Sequence, residues 1–104
     1  MDFGEKLKKS RKNRNETLHM VAMGTNIDMT LLSKFERGER LPTPNQVQKL
    51  ARHFGLDNTK MEIEVIAGRI LNLYGYKEVT YWAAKHVQER MEKYNTDKNG
   101  RNKK

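Results

Sequence analysis

The chain has 104 residues, with 21 Lys plus Arg against 13 Asp plus Glu, for a net charge of +8. That length holds one small domain with an extension and excludes a large enzyme. Leu, Ile, Val and Phe supply only 21 residues, so the chain folds only if these recur at periodic positions and some are buried between two subunits.

Zero Cys excludes disulfides, thiolate metal sites and cysteine nucleophiles. No apolar run approaches the roughly 18 residues of a membrane span, and Met1-Asp2-Phe3-Gly4 does not open a signal peptide, so a cytoplasmic protein is expected. The part up to Leu56 carries 11 basic and 6 acidic residues and the remainder 10 and 7. Both parts are basic, which favours a polyanionic partner such as nucleic acid, where Lys and Arg displace condensed counterions.

A first short helix is expected from Phe3 to Arg14, with Phe3 and Leu7 on a narrow apolar stripe among Lys6, Lys8, Lys9 and Lys12. Thr17 is a good N-cap for a second helix carrying Leu18, Val21 and Ala22, interrupted by Gly24 and Asn26. Asp28 can cap a third, Met29 to Arg37, which turns Leu31, Leu32 and Phe35 inward and Thr30, Ser33, Lys34 and Arg37 outward, with Gly38 as its C-cap residue. Pro42 and Pro44 bar helix between Glu39 and Thr43, and Thr43-Pro44 suits the N-cap and N1 of a fourth helix with Val47, Leu50, Ala51 and Phe54 inward and Gly55 at its end.

Asp57 or Asn58 can cap a fifth helix to about Tyr74, carrying Met61, Val65, Ile66, Ile70, Leu71 and Leu73. A sixth is expected from Lys77 to Tyr94, on Val79, Trp82, Ala83, Val87, Met91 and Tyr94. Asn95 to Lys104 lacks large apolar residues and is expected to be a flexible basic tail. No segment alternates with period two, so the fold class is all-α.

Two short helices joined around Asn26 have the layout of a helix-turn-helix, whose second helix enters the DNA major groove. The residues sharpen this. Thr17-Leu18-His19-Met20-Val21-Ala22, Ile27-Asp28, the run Ser33-Lys34-Phe35-Glu36-Arg37-Gly38-Glu39-Arg40-Leu41-Pro42-Thr43-Pro44 and the closing Leu50-Ala51-Arg52-His53-Phe54-Gly55-Leu56 resemble the lambda-repressor-like (XRE type) helix-turn-helix family. The resemblance covers about residues 3 to 56. It implies a five-helix lambda-repressor-like DNA-binding domain whose helix-turn-helix core is 1–56, followed here by a helical extension at 57–94 and the tail at 95–104.

Carried over by position, the resemblance implies that Met29, Thr30, Ser33 and Lys34 face base edges. Lys34 can donate to guanine O6 or N7, and Met29 offers only apolar contact. Thr17 and Leu18 would meet a phosphate through main-chain N–H groups, since Leu18 stands where many members have Gln and has no side-chain donor. Arg37, Arg40 and Thr43 would reach phosphates. The Lys6 to Lys12 cluster with Arg14 is either a solvated face or a further backbone contact. Glu36 would be repelled by phosphates. The family resolves this with a structural salt bridge to an arginine on the first helix, here Arg11.

The extension is similar in pattern to that of small restriction-modification controllers and phage repressors. Its Ile66, Ile70, Tyr81 and Trp82 are expected at a homodimer interface, although Trp82 could instead pack onto its own domain. The rival reading is antitoxin-like, with the extension holding a protein partner while the first domain autoregulates transcription. His19, His53 and His86 lack metal-ligand spacing, no nucleophile-base set or Gly-rich phosphate loop can be assembled, and Met20, Met23, Met61 and Met91 read as packing residues. No enzyme, cofactor or metal is therefore expected.

Overall fold

The computed structural model describes the backbone of residues 2–102 and side chains as far as Asp97. Six α-helices follow one another, α1 (Phe3–Asn13), α2 (Leu18–Thr25), α3 (Met29–Glu36), α4 (Pro44–Phe54), α5 (Asn58–Tyr74) and α6 (Glu78–Asn102). Among the described residues there is no strand. The expected all-α class, with five helices and a C-terminal helical addition, is the observed one.

Local chemistry starts and stops the helices. Asp2 Oδ1 accepts the Glu5 N–H at 2.8 Å to cap α1. Thr17 Oγ1 accepts the Met20 N–H at 3.1 Å, and the Thr17 N–H meets the Met20 sulfur at 3.5 Å, so a thioether takes the return position of a capping box. At α4 the box is complete, because Thr43 Oγ1 accepts from Gln46 N while Gln46 Oε1 accepts from Thr43 N at 2.9 Å. Asp57 Oδ1 caps α5 by accepting the Lys60 N–H at 3.0 Å. The helix ends at Gly38 and Gly55 carry positive φ, 75° and 65°. Asp28 departs from expectation: it occupies the N-cap position of α3 but makes no side-chain cap bond. Its exposed carboxylate is left to act on that terminus through charge alone.

Residues 2–70 form one compact unit. Its core takes Phe3 and Leu7 from α1, Val21 from α2, Ile27 from the turn, Leu32 and Phe35 from α3, Val47, Leu50, Ala51 and Phe54 from α4, and Met61 and Val65 from α5. The part of α5 up to Ile70 therefore belongs to the domain, and compactness does not stop at Leu56, because Met61 and Val65, four residues apart, place one face of α5 in the core. Gly4 allows a close backbone approach: a Cβ there would lie 2.5 Å from the Phe35 carbonyl oxygen and 2.7 Å from that of Glu36, so the α1 backbone rests directly on the end of α3.

From Leu71 onward a second compact unit holds the end of α5 and α6. Helix α6 does not stop at Tyr94. It continues through Asn95 to Asn102, where a flexible tail was expected. This stretch lacks proline, and the Thr96 hydroxyl donates to the Glu92 carbonyl oxygen at 3.0 Å. The last two positions of the expected tail lie outside the described residues. Met20, Met23 and Met91, expected as packing residues, are exposed, whereas Met61 is buried in the core.

Candidate nucleic-acid interface

Helix α3 is amphipathic over barely two turns. Leu32 and Phe35 are each only 1% exposed, whereas Met29, Thr30 and Arg37 are exposed and Ser33 and Lys34 half-exposed on the other side. The buried pair fixes the helix on the core, and the opposite side presents a thioether, two hydroxyls and an ammonium group. These are the groups suited to apolar contact with thymine methyls and to hydrogen bonds with base edges.

The C-terminal end of α3 is held by α1. Arg11 Nε donates to Glu36 Oε2 at 2.7 Å and Nη2 donates to Oε1 at 3.0 Å, a bidentate pair with both side chains largely buried. The hydrogen bond to Glu36 raises the Arg11 pKa against the opposing effect of burial. The third guanidinium nitrogen, Nη1, donates to the Glu16 carbonyl oxygen at 3.0 Å. One guanidinium thus ties the end of α3 to the residue preceding the Thr17 cap of α2.

Glu16 is itself gripped. Its Oε2 lies 2.8 Å from His53 Nε2 on α4, and its Oε1 lies 2.8 Å from Arg14 Nε, whose guanidinium sits 5.7 Å above the Phe54 ring. His53 also packs so tightly on α2 that a Cβ at Gly24 would fall 2.4 Å from Nδ1. This Glu16–His53 contact has no sequence signature, because its partners are 37 residues apart and neither motif nor periodicity links them.

Arg14, a candidate for a phosphate, is partly committed to Glu16 and Phe54 while half its side chain stays exposed. Arg37 is likewise engaged, donating to Ser33 Oγ and, through Nε, to Glu39. The Arg37 hydrogen bond holds the Glu39 carboxyl below its ordinary range. Arg40 is exposed. The Thr17 and Thr43 hydroxyls accept backbone N–H groups and so keep a proton to donate outward. Leu18 packs its side chain against the core, and the Leu18 and His19 N–H groups precede the first intrahelical bond of α2.

In the same compact unit, Ile66 and Ile70 lie on the face of α5 opposite Met61 and Val65, together with Ile63; all three isoleucines are exposed. In the second unit Tyr81 and Trp82 are exposed, their rings edge to face at 5.1 Å, with the Lys85 ammonium 5.6 Å from the indole ring. Among the described residues no group of three or more His, Asp or Glu side chains could hold a metal ion, and no helix is long and apolar enough to cross a membrane.

Two short helices set by a left-handed Asn26 (φ 58°), the second buried on one side and polar on the other, define a helix-turn-helix DNA-binding protein. The family model described as a helix-turn-helix domain matches residues 4–76, well over half of the chain. The chain belongs to that family, in its XRE, lambda-repressor-like form, and is a DNA-binding transcriptional regulator. Comparison with curated proteins and with solved structures returns no match.

Proposed function

We propose that the protein is a sequence-specific repressor and autoregulator that binds a two-fold operator in double-stranded DNA as a homodimer. The observation that carries this reading is the outward side of α3, where Met29, Thr30, Ser33 and Lys34 stand over a buried Leu32 and Phe35. In this reading those four residues meet base edges. The main chain at Thr17 and Leu18, the Thr43 hydroxyl and the Arg40 guanidinium hold phosphates on either side, with Arg14 and Arg37 contributing once released from Glu16 and Glu39. Arg11 neutralises Glu36, so this carboxylate is not left unpaired beside the DNA backbone.

One recognition helix spans few base pairs, so two copies with half-sites about 34 Å apart are needed for selectivity. The bare apolar side of α5 at Ile66 and Ile70, and Tyr81 with Trp82 on α6, support self-association, since apolar surface of this kind is costly to leave in water. The same exposure supports the second reading, in which the extension holds a foreign protein as an antitoxin would.

Selection of bound duplexes from a random pool, followed by the mass of the complex, tests the proposal. A palindromic site carrying two chains is the expected result. A single chain per site, or an untagged protein that copurifies in place of a second copy, favours the second reading, and a pool without enrichment removes both.

A further inference from the structure

Helix α1 and the first turns of α5 border an open groove of about 480 Å3, within the size range of small-ligand sites. Phe3, Leu7 and Met61 form its floor and Leu56, 47% exposed, its apolar wall. Five charged side chains edge it, and they are not equivalent. Of the two carboxylates, Asp57 caps α5 and Glu64 is paired with Lys6. Lys9 and Lys60 make no salt bridge among the described residues. With Lys6 and Glu64 cancelling, Lys9 and Lys60 outweigh Asp57 by one positive charge beside an apolar floor, a combination complementary to an apolar body with one negative head.

The groove is also mechanically close to the DNA-reading helix. Phe3 and Leu7 line it, while Gly4, between them in sequence, presses its backbone against the carbonyl oxygens of Phe35 and Glu36. Further along α1, Arg11 holds Glu36. A molecule wedged between α1 and α5 pushes on the one helix that clamps the end of α3, and close-packed interiors pass on such displacements.

We propose that this groove binds an anionic amphiphile, an apolar chain or ring bearing a single carboxylate, and that its occupancy weakens DNA binding. The binding half stands by itself; the coupling half rests on the DNA-reading role of α3.

The test uses the full chain, with decanoate as probe and decan-1-ol as its uncharged counterpart, followed by calorimetry and by amide NMR shifts without DNA. Decanoate is expected to bind with a dissociation constant of about 0.1 mM, reasonable for a ligand of its size, and to shift the Phe3, Leu7 and Leu56 amides. Decan-1-ol, and decanoate on the Lys9→Glu/Lys60→Glu protein, should each bind at least tenfold more weakly. Leu56→Gln, an exposed substitution checked for native circular dichroism, should weaken both probes.

No decanoate binding at millimolar concentration, equal binding of decan-1-ol, or shifts confined to Ile63 and Ile66 would overturn the site. Saturating decanoate should then lower affinity for the selected duplex, and that duplex should lower decanoate affinity by the same factor. An occupied groove with unchanged DNA affinity overturns the coupling. If decanoate binds as expected but the random pool yields no selected duplex, the DNA reading fails and the site stands.

Discussion

Arg11 and Glu36, 25 residues apart, meet in a bidentate pair with Nε 2.7 Å from Oε2, and the same guanidinium reaches the Glu16 carbonyl oxygen. The pair joins α1 to Glu36, the last residue of α3. Because both side chains are largely out of water, removing one strands the other. Arg11→Ala or Glu36→Ala should cost about 3–5 kcal/mol in urea unfolding. The double Arg11→Met/Glu36→Leu should recover most of that loss while still impairing DNA binding, since α3 loses its anchor. Stability unchanged in either single variant would contradict this role.

Lys34 and Arg40 should separate readout from attraction. Lys34→Ala is expected to relax the base preference at one position of each half-site by about 1–3 kcal/mol. Arg40→Ala should instead weaken all duplexes alike and reduce the slope of log affinity against log salt by about one. The check is a randomised-site selection beside a salt titration for each variant, and an unaltered preference in Lys34→Ala would remove it from the readout.

Glu39 restrains Arg37, and its own carboxyl is held low mainly by the Arg37 hydrogen bond. A depressed carboxyl stays ionised through neutral and mildly acidic pH, and its hold on Arg37 is lost only as pH falls through that lowered pKa. Glu39→Gln should therefore tighten DNA binding and steepen the salt dependence at neutral pH. The pair should add no pH dependence to wild-type affinity between about pH 5 and 8, where the carboxyl is charged throughout. Weaker binding by the Gln variant, measured by fluorescence anisotropy, would mean that Glu39 helps rather than hinders.

Gly24 and His53 should be coupled. A methyl at Gly24 meets the imidazole at 2.4 Å, so Gly24→Ala should displace His53 from Glu16 and destabilise the domain by about 1–3 kcal/mol. In the Gly24→Ala/His53→Ala double variant the clash is absent, and a double-mutant cycle should show a coupling of more than 0.5 kcal/mol. Additive costs would place the strain elsewhere.

On the bare side of α5, Ile66→Glu/Ile70→Glu should leave the melting of the domain core almost unchanged and convert the expected dimer to a monomer by sedimentation. Core side chains Met61 and Val65 lie on the other side of that helix. A dimer that survives both charges would move the interface to α6 or to another surface.

Most of the first compact unit was legible because short-range rules decide it. The Thr17 and Thr43 caps, Pro44 at N1 and the terminating Gly38 and Gly55 each act within one turn, and Leu32 with Phe35 announces the buried side of α3 by spacing alone. Where the chain departs from its expected form, the cause is tertiary or compositional. Nothing local says that Met61 and Val65 extend the core beyond Leu56, nor that His53 finds Glu16. The polar run after Tyr94 lacks the apolar periodicity by which helices are recognised, although it contains nothing that breaks one before Gly100.

Dimethyl sulfate interference on the selected duplex tests most directly whether α3 reads DNA from the major groove. Methylation at guanine N7 within each half-site should block wild-type binding, with one such guanine ceasing to matter in Lys34→Ala. Interference confined to adenine N3 in the minor groove, or a pattern that Lys34→Ala leaves intact, would contradict that placement of the helix.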